Sequence, residues 1–135
     1  MKKIIVLFIS LLLFYSCLNN DDNRIRYGYE FLPIDEYTVP TSFTFGEKDT
    51  IKLKYTFKNG CYNFDGLHYE YKDTTRIVAI RAIVDLDQVC SEAITQYDYN
   101  LIVTASQEED YVFKFYKGKD NNGENIFEEV VVPVN

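Results

Sequence analysis

Polar and apolar residues alternate along much of this chain. From Ile51 to Lys58 every odd position is apolar and every even one polar. Period two sends successive side chains to opposite faces of a strand. It predicts a strand with Ile51, Leu53, Tyr55 and Phe57 facing a core and the lysines facing water. Tyr111, Phe113 and Phe115 keep the same rhythm, as do Tyr97, Tyr99, Leu101 and Val103, and Tyr27, Tyr29 and Phe31. Thr75–Val84 differs, because only Arg76 and Arg81 interrupt its apolar residues. A run apolar on both faces predicts a strand covered on two sides, and its β-branched residues argue against a helix.

Punctuation agrees with short strands. Asn59-Gly60, Asp65-Gly66 and Asn122-Gly123 predict hairpin turns. Gly46-Glu47-Lys48-Asp49 separates Phe43-Thr44-Phe45 from the Ile51 strand, and Pro33, Pro40 and Pro133 fall near expected strand ends. Asp85–Gln96 reads either as a short helix presenting Leu86, Val89, Cys90 and Ala93 or as a loop. The chain holds 12 Tyr, 10 Phe and no Trp, a β-type composition. The expectation is an all-β fold: a single antiparallel sandwich of about seven or eight strands.

The mature region resembles the small immunoglobulin-like domains of exported bacterial proteins. The residues that carry this are Phe45-Gly46 before the Ile51–Phe57 strand, the Asn59-Gly60-Cys61-Tyr62 turn, and the segment Asp120-Asn121-Asn122-Gly123. The resemblance spans residues 27–134 and implies an immunoglobulin-like β-sandwich. That family's buried Trp is missing here, and Cys61 and Cys90 do not match its inter-sheet pair. A small open barrel is the alternative topology.

The N-terminus has its own pattern. Met1-Lys2-Lys3 precedes an apolar stretch of about twelve residues, Ile4–Tyr15, which leads through Ser16 to Cys17. A spanning helix needs roughly 20 residues, so the stretch reads as a secretory signal. Leu13-Phe14-Tyr15-Ser16-Cys17 resembles bacterial lipoprotein signal peptides, although Phe14 and Tyr15 stand where those signals carry Leu and a small residue. The resemblance implies a lipid attached at Cys17, palmitate among its acyl chains. Leu18-Asn19-Asn20-Asp21-Asp22-Asn23 resembles the acidic, Asn-rich leader of Bacteroidota surface lipoproteins, and a plain solvated tether explains the same residues. Residues 1–16 are then signal peptide, 17–26 a tether and 27–135 the domain. The expected location is the bacterial outer membrane, surface-exposed or facing the periplasm, with the membrane as partner through the lipid on Cys17. The tether can reach roughly 30 Å at about 3.3–3.6 Å per residue.

Removing residues 1–16, which hold Lys2 and Lys3 and no acid, takes the formal charge from −7 to −9. That balance disfavours nucleic acid as a partner and disfavours direct adsorption to anionic lipid. With Cys17 lipidated, Cys61 and Cys90 remain, and an exported chain with two cysteines predicts a disulfide. Two cysteines without a CxxC pair or a nearby His supply too few ligands for a metal.

Catalytic chemistry finds few parts. His68 is the sole histidine, and its alternate neighbours Gly66 and Glu70 place it on a sheet face. No Ser lies in a Gly-x-Ser-x-Gly elbow. Glu108-Glu109-Asp110 reads as a solvated turn, and Glu128 and Glu129 point to opposite faces of a strand. Asp120–Asn125 offers oxygen ligands but misses the calcium-loop register, and an Asn-Gly hairpin accounts for it. There is no phosphate-binding or dinucleotide motif, so neither cofactor nor metal is expected. Tyr62, Tyr69, Tyr71 and Tyr116 are candidates for a ligand-facing aromatic surface. The expected function is non-enzymatic: a lipid-anchored envelope module binding a protein or glycan ligand. The alternatives are an inhibitor or accessory subunit of a hydrolase or outer-membrane complex, and a hydrolase built on two carboxylates in a cleft.

Overall fold

The structure, a computed structural model, describes residues 25–135. Cys17, the apolar leader and residues 17–24 of the tether lie outside that range. Eight strands follow in order: β1 (Tyr27–Leu32), β2 (Glu36–Thr38), β3 (Lys48–Phe57), β4 (Tyr62–Lys72), β5 (Thr75–Asp85), β6 (Thr95–Thr104), β7 (Tyr111–Lys119) and β8 (Asn125–Val132). They form a five-stranded sheet of β1, β4, β5, β7 and β8 and a three-stranded sheet in the order β2-β3-β6. No named strand pairs across the two sheets, so the architecture is an all-β sandwich and not a barrel.

β5 organises the larger sheet. One of its edges pairs with β4 along its whole length. Its other edge is shared: Ile80–Asp85 pair with β1, and Thr75–Val78 pair with β7. The β5–β7 ladder is parallel over four residue pairs, while every other ladder is antiparallel. Three partners leave β5 no free backbone edge over most of its length. Its two faces are nevertheless covered differently. Val78, Ile80 and Ala82 face the second sheet and are buried in the core. On the far side Ala79 is covered by side chains of its own sheet, since no third layer is present among the described residues.

Alternation places the expected residues inward on β3, β6 and β7 but not on β1. There Tyr27, Tyr29 and Phe31 are exposed, and Glu30 and Leu32, paired with Ala82 and Ile80, face the second sheet. Ile51, Leu53, Tyr55 and Phe57 of β3 and Leu101 and Val103 of β6 are buried against Tyr111, Phe113 and Phe115 of β7 and against Leu32, Ile34 and Val132. The three aromatic side chains of β7 stack in a ladder with ring centroids 5.9 Å apart at each step. Phe43 meets this ladder edge-on, 5.2 Å from Tyr111. Edge and offset contacts of this kind add to the area term for aromatic pairs.

Turns match expectation at one cue out of three. Asn122-Gly123 does turn the β7–β8 hairpin, and Gly123 takes the positive φ (85°) that favours glycine. Asp120 Oδ1 accepts from the backbone N–H groups of Asn122 and Glu124, so that carboxylate is engaged in the turn. Asp65-Gly66 is not a turn. It lies inside β4 as a β-bulge, where the register shifts between Phe64 and Gly66. Asn59-Gly60 does not close a hairpin either, because β3 and β4 belong to different sheets. It turns a corner between them, and Gly60 is fixed there by Ser91, whose Oγ would lie 2.3 Å from any added Cβ. The real β4–β5 hairpin turns at Asp73-Thr74, with Asp73 at φ 54°. Leu86–Ile94 is a loop without a helix. Pro33, Pro40 and Pro133 each follow a strand end.

Cys61 and Cys90 are bridged, with Cα atoms 5.3 Å apart. Cys61 sits on the β3–β4 corner and Cys90 on the β5–β6 loop. Both segments cross between sheets, so the bridge fastens two crossovers to each other. Gly60 N–H to the Ser91 carbonyl (2.9 Å) and Asp85 N–H to the Cys61 carbonyl (3.1 Å) reinforce the junction.

Two stability changes follow. Phe113→Ala empties the centre of the β7 ladder, where Phe113 is fully buried, and is expected to cost about 3–5 kcal/mol in urea unfolding. Replacing Cys61 and Cys90 together by Ser opens a loop of 29 residues' separation. It is expected to cost roughly 3–4 kcal/mol, read as a lower unfolding midpoint that matches that of the reduced wild type.

Candidate functional site

The two lateral sides of the sandwich differ. On one side β2 and β8 are clamped together. Tyr37 stacks on Phe115 with centroids 4.3 Å apart, and its hydroxyl donates to Glu128 Oε1 at 2.7 Å. Lys117 Nζ reaches Glu128 Oε2 at 3.2 Å and donates to the Ile34 carbonyl at 2.8 Å. Burial, followed by the Glu128 hydrogen bond and charge, pushes the Tyr37 hydroxyl up to about 12. It therefore stays a neutral donor at physiological pH.

On the other side β4 and β6 are edge strands that face each other without pairing. Aromatic side chains bridge the gap: Phe64 lies 5.5 Å from Tyr99 and 6.1 Å from Tyr55, and Phe57 lies 6.1 Å from Tyr62. Phe64 and Tyr97 stay two-fifths exposed, at 42% and 41%. The result is an aromatic groove that runs from the disulfide corner toward the Asp73-Thr74 hairpin. At the hairpin end it deepens into a pocket of about 280 Å³. Tyr69, Tyr71 and Arg76 lie on one wall, Leu101–Thr104 on the opposite wall, and Ser106 and Tyr111 beside them.

The bulge in β4 decides which tyrosines enter this groove. Leu67 pairs with Ile80 and Tyr69 with Val78, both core-facing. Phe64 pairs with core-facing Ala82. The inward set is therefore Tyr62 and Phe64 before the bulge, then Leu67, Tyr69 and Tyr71 after it. An unbroken period of two would have sent one of these groups outward. Tyr62 and Tyr69, expected on an outward face, instead point between the sheets and pack on the core. Tyr71 shares their orientation but lies at the rim and is 71% exposed.

Tyr116 does point outward, opposite in parity to Phe115, yet it is only 6% exposed. Phe31 and Phe127 cover it, with centroids 6.5 and 5.8 Å away. His68 joins this outer cluster 5.0 Å from Phe31, and its Nε2 lies 3.5 Å from Glu70 Oε2. The patch comprises Phe31, His68, Tyr116 and Phe127, so of the four predicted tyrosines it holds one.

A broader hollow of about 700 Å³ adjoins it, between Tyr29, Phe31, Lys58 and Lys119. Two of its charges are matched to each other, because Glu30 is bonded to Lys58 and also accepts the Tyr62 hydroxyl at 2.6 Å. Burial alone raises the Glu30 carboxyl. The bonds from Lys58 and Tyr62 and the Lys58 charge outweigh that and hold it below its ordinary value. Among the described residues, no group of three or more His, Cys, Asp or Glu is arranged to hold a metal ion.

Sequence reasoning missed Arg76, Phe64, Tyr97 and Tyr99 as groove residues. A signal for Arg76 existed. It shares parity with Val78, Ile80 and Ala82, which places a guanidinium on the buried face of β5.

These features define a small, disulfide-fastened β-sandwich with one clamped side and one open aromatic side. The ORF11 beta-sandwich domain model matches residues 51–132. That span runs from within β3 to the end of β8, more than half of the chain, and the protein belongs to this family. No curated protein and no solved structure matches the chain.

One pH dependence follows from Glu30. Its folded carboxyl lies below its ordinary value. The stabilisation is therefore present above the unfolded pKa and is lost as pH falls through the folded one. Glu30→Gln is expected to destabilise the domain at neutral pH, with the gap to wild type closing on acidification below about 4.5. Thermal unfolding of both forms across that range checks it.

Proposed function

We propose that the protein is a lipid-anchored cell-envelope module that binds its ligand without chemically transforming it. The observation that carries this reading is thiol parity. Cys61 and Cys90 are bridged, and of the three cysteines only Cys17 remains, at the end of an apolar leader. A structural disulfide fits an oxidising compartment, and a cysteine directly after a secretory leader suits acylation. The acidic, Asn-rich segment after Cys17 supports the finer assignment to the outer membrane of a Bacteroidota-type envelope. Residues 17–26 then act as a tether that ends close to the domain surface. There Arg26 Nη2 holds Asp87 Oδ1 at 2.7 Å, and the Arg26 backbone N–H donates to Asp87 Oδ2 at 2.6 Å. Beyond the tether the sandwich presents its open aromatic side, and exposed aromatic surface is common at binding faces.

A second reading rests on a different feature. The Leu86–Ile94 loop is fastened by the disulfide yet leaves Leu86, Val89 and Ile94 exposed. A fastened apolar loop loses little freedom on entering a cleft, which suits an inhibitor or accessory subunit of an envelope hydrolase. Co-purification from detergent extracts separates the two. A stoichiometric soluble enzyme, lost on Val89→Asp, selects the inhibitor. A membrane-bound or polysaccharide partner that Val89→Asp leaves unchanged selects the binding module.

The anchor is tested directly. Wild-type chain expressed in a host with lipoprotein processing is expected to partition into detergent and to begin with an acylated cysteine by mass spectrometry of the N-terminal peptide. Cys17→Ser is expected to move it to the aqueous phase. A freely soluble wild type with an unmodified Cys17 overturns the proposal.

A further inference from the structure

Arg76 is the one buried cation among the described residues, at 5% exposure, and it has no carboxylate within ion-pairing distance. The other two described arginines, Arg26 and Arg81, are paired with Asp87 and Asp65. A guanidinium stays protonated in proteins, so the charge cannot be shed. Its bonds go to neutral acceptors. Nη1 donates to the carbonyls of Asp73 (2.7 Å) and Thr75 (3.0 Å), and Nη2 donates to Gln107 Oε1 (2.5 Å). Nε is buried and has no partner. Of five N–H groups, Nε–H and one on Nη2 are left. These two atoms share the edge that a carboxylate grips with two parallel hydrogen bonds.

The surroundings suit such a group. The guanidinium lies against the Tyr71 and Tyr111 rings, its Cζ 4.6 and 5.0 Å from their centroids. It belongs to the wall of the 280 Å³ pocket at the deep end of the groove. Burial pushes the Tyr69 hydroxyl up to about 12, with the charge of Arg76 and its hydrogen bonding to that hydroxyl pulling the other way. A neutral hydroxyl that keeps its own O–H to donate therefore stands beside the cation. Tyr71 is the exposed member of this wall. Polyanions are disfavoured, since the acidic turn Glu108–Asp110 follows directly on Gln107 and the whole chain is acidic.

We propose that this pocket binds a small monoanionic carboxylate carried on a ring, its carboxylate on the Nε–Nη2 edge of Arg76 and its ring against Tyr69 and Tyr71. The proposal rests on the binding-module reading and names its ligand class. The full chain in a non-ionic detergent is titrated with D-glucuronate and with 4-hydroxybenzoate. The uncharged counterparts D-glucose and 4-hydroxybenzamide are run in parallel. Arginine Nε–Hε resonances are followed by ¹⁵N NMR, which the chain's four arginines make tractable.

The Arg76 signal is expected to move saturably with at least one of the acids and with neither neutral compound, while Arg26 and Arg81 stay still. Movement with glucuronate selects a sugar acid, and movement with hydroxybenzoate a flat aromatic acid. Tyr71→Ala is preferred to a replacement of Arg76, which also holds the Asp73-Thr74 hairpin. It is expected to weaken binding roughly tenfold, as the loss of a cation–π and ring contact implies. An Arg76 signal that ignores both acids, or responds equally to the neutral compounds, overturns the proposal. Acylation at Cys17 is measured independently of this result.

Discussion

The structure depends on how β5 is shared. A strand usually serves two neighbours, one for each edge. Here the second edge is divided, with β1 taking the C-terminal half and β7 the N-terminal half, the latter in parallel. Backbone donors and acceptors in the interior must be paired, and this division pairs them while bringing two more strands into the sheet. It also places the β7 aromatic ladder directly beside the buried face of β5. Val78, Ile80 and Ala82 on one strand and Phe113 and Phe115 on the other then make one continuous apolar floor. The smaller sheet closes over that floor with β3 and β6, whose alternate residues supply the opposite wall.

That arrangement determines where the molecule is open. β2 and β8 meet through a stacked tyrosine, a hydrogen-bonded carboxylate and a lysine, which join the sheets on one side. β4 and β6 meet only through rings. Unpaired edges invite pairing with other chains, and the bulge in β4 works against that by breaking the regular row of N–H and C=O groups. The same bulge turns Tyr69 and Tyr71 into the groove. A single extra residue therefore both protects an edge and builds a wall of the pocket.

Most strands were legible because period two is a local property that burial imposes on them, although on β1 the aromatic residues keep that period on the outward face. Ile51–Phe57 and Tyr111–Phe115 could be oriented from their own residues. The turns were less legible, because Asn-Gly and Asp-Gly report only that the backbone can adopt positive φ or a tight path. Whether that freedom makes a hairpin, a bulge or a corner between sheets depends on which strands pair, and pairing is non-local. Asp65-Gly66 and Asn59-Gly60 went different ways for that reason, while Asp73-Thr74 made a hairpin without glycine. The same limit applied to the tyrosines. Tyr62 and Tyr69 could not be oriented without the bulge between them, and Tyr116 could not be known as buried without Phe31 arriving from a distant strand and Phe127 from directly across its own hairpin. Arg76 was readable in orientation but not in partnership, since the lack of a counter-charge becomes visible only when every carboxylate has a position.

Arg76 also shows why the acidic chain and its buried cation belong together. Burying a charge removes hydration that only close partners can replace. Two carbonyls, an amide oxygen and two ring faces replace part of it, through dipoles and quadrupoles and without a full opposite charge. A net negative domain adds a diffuse favourable potential, which lowers the cost of keeping the guanidinium inside but offers no directional bond to Nε. A local carboxylate from the chain would have satisfied that bond and filled the edge permanently, as Asp87 does for Arg26 and Asp65 for Arg81. Selection for stability alone favours that solution. Its absence at the buried arginine in the wall of the groove's pocket is what separates Arg76 from Arg26 and from Arg81, which is paired with Asp65 in its own shallow hollow.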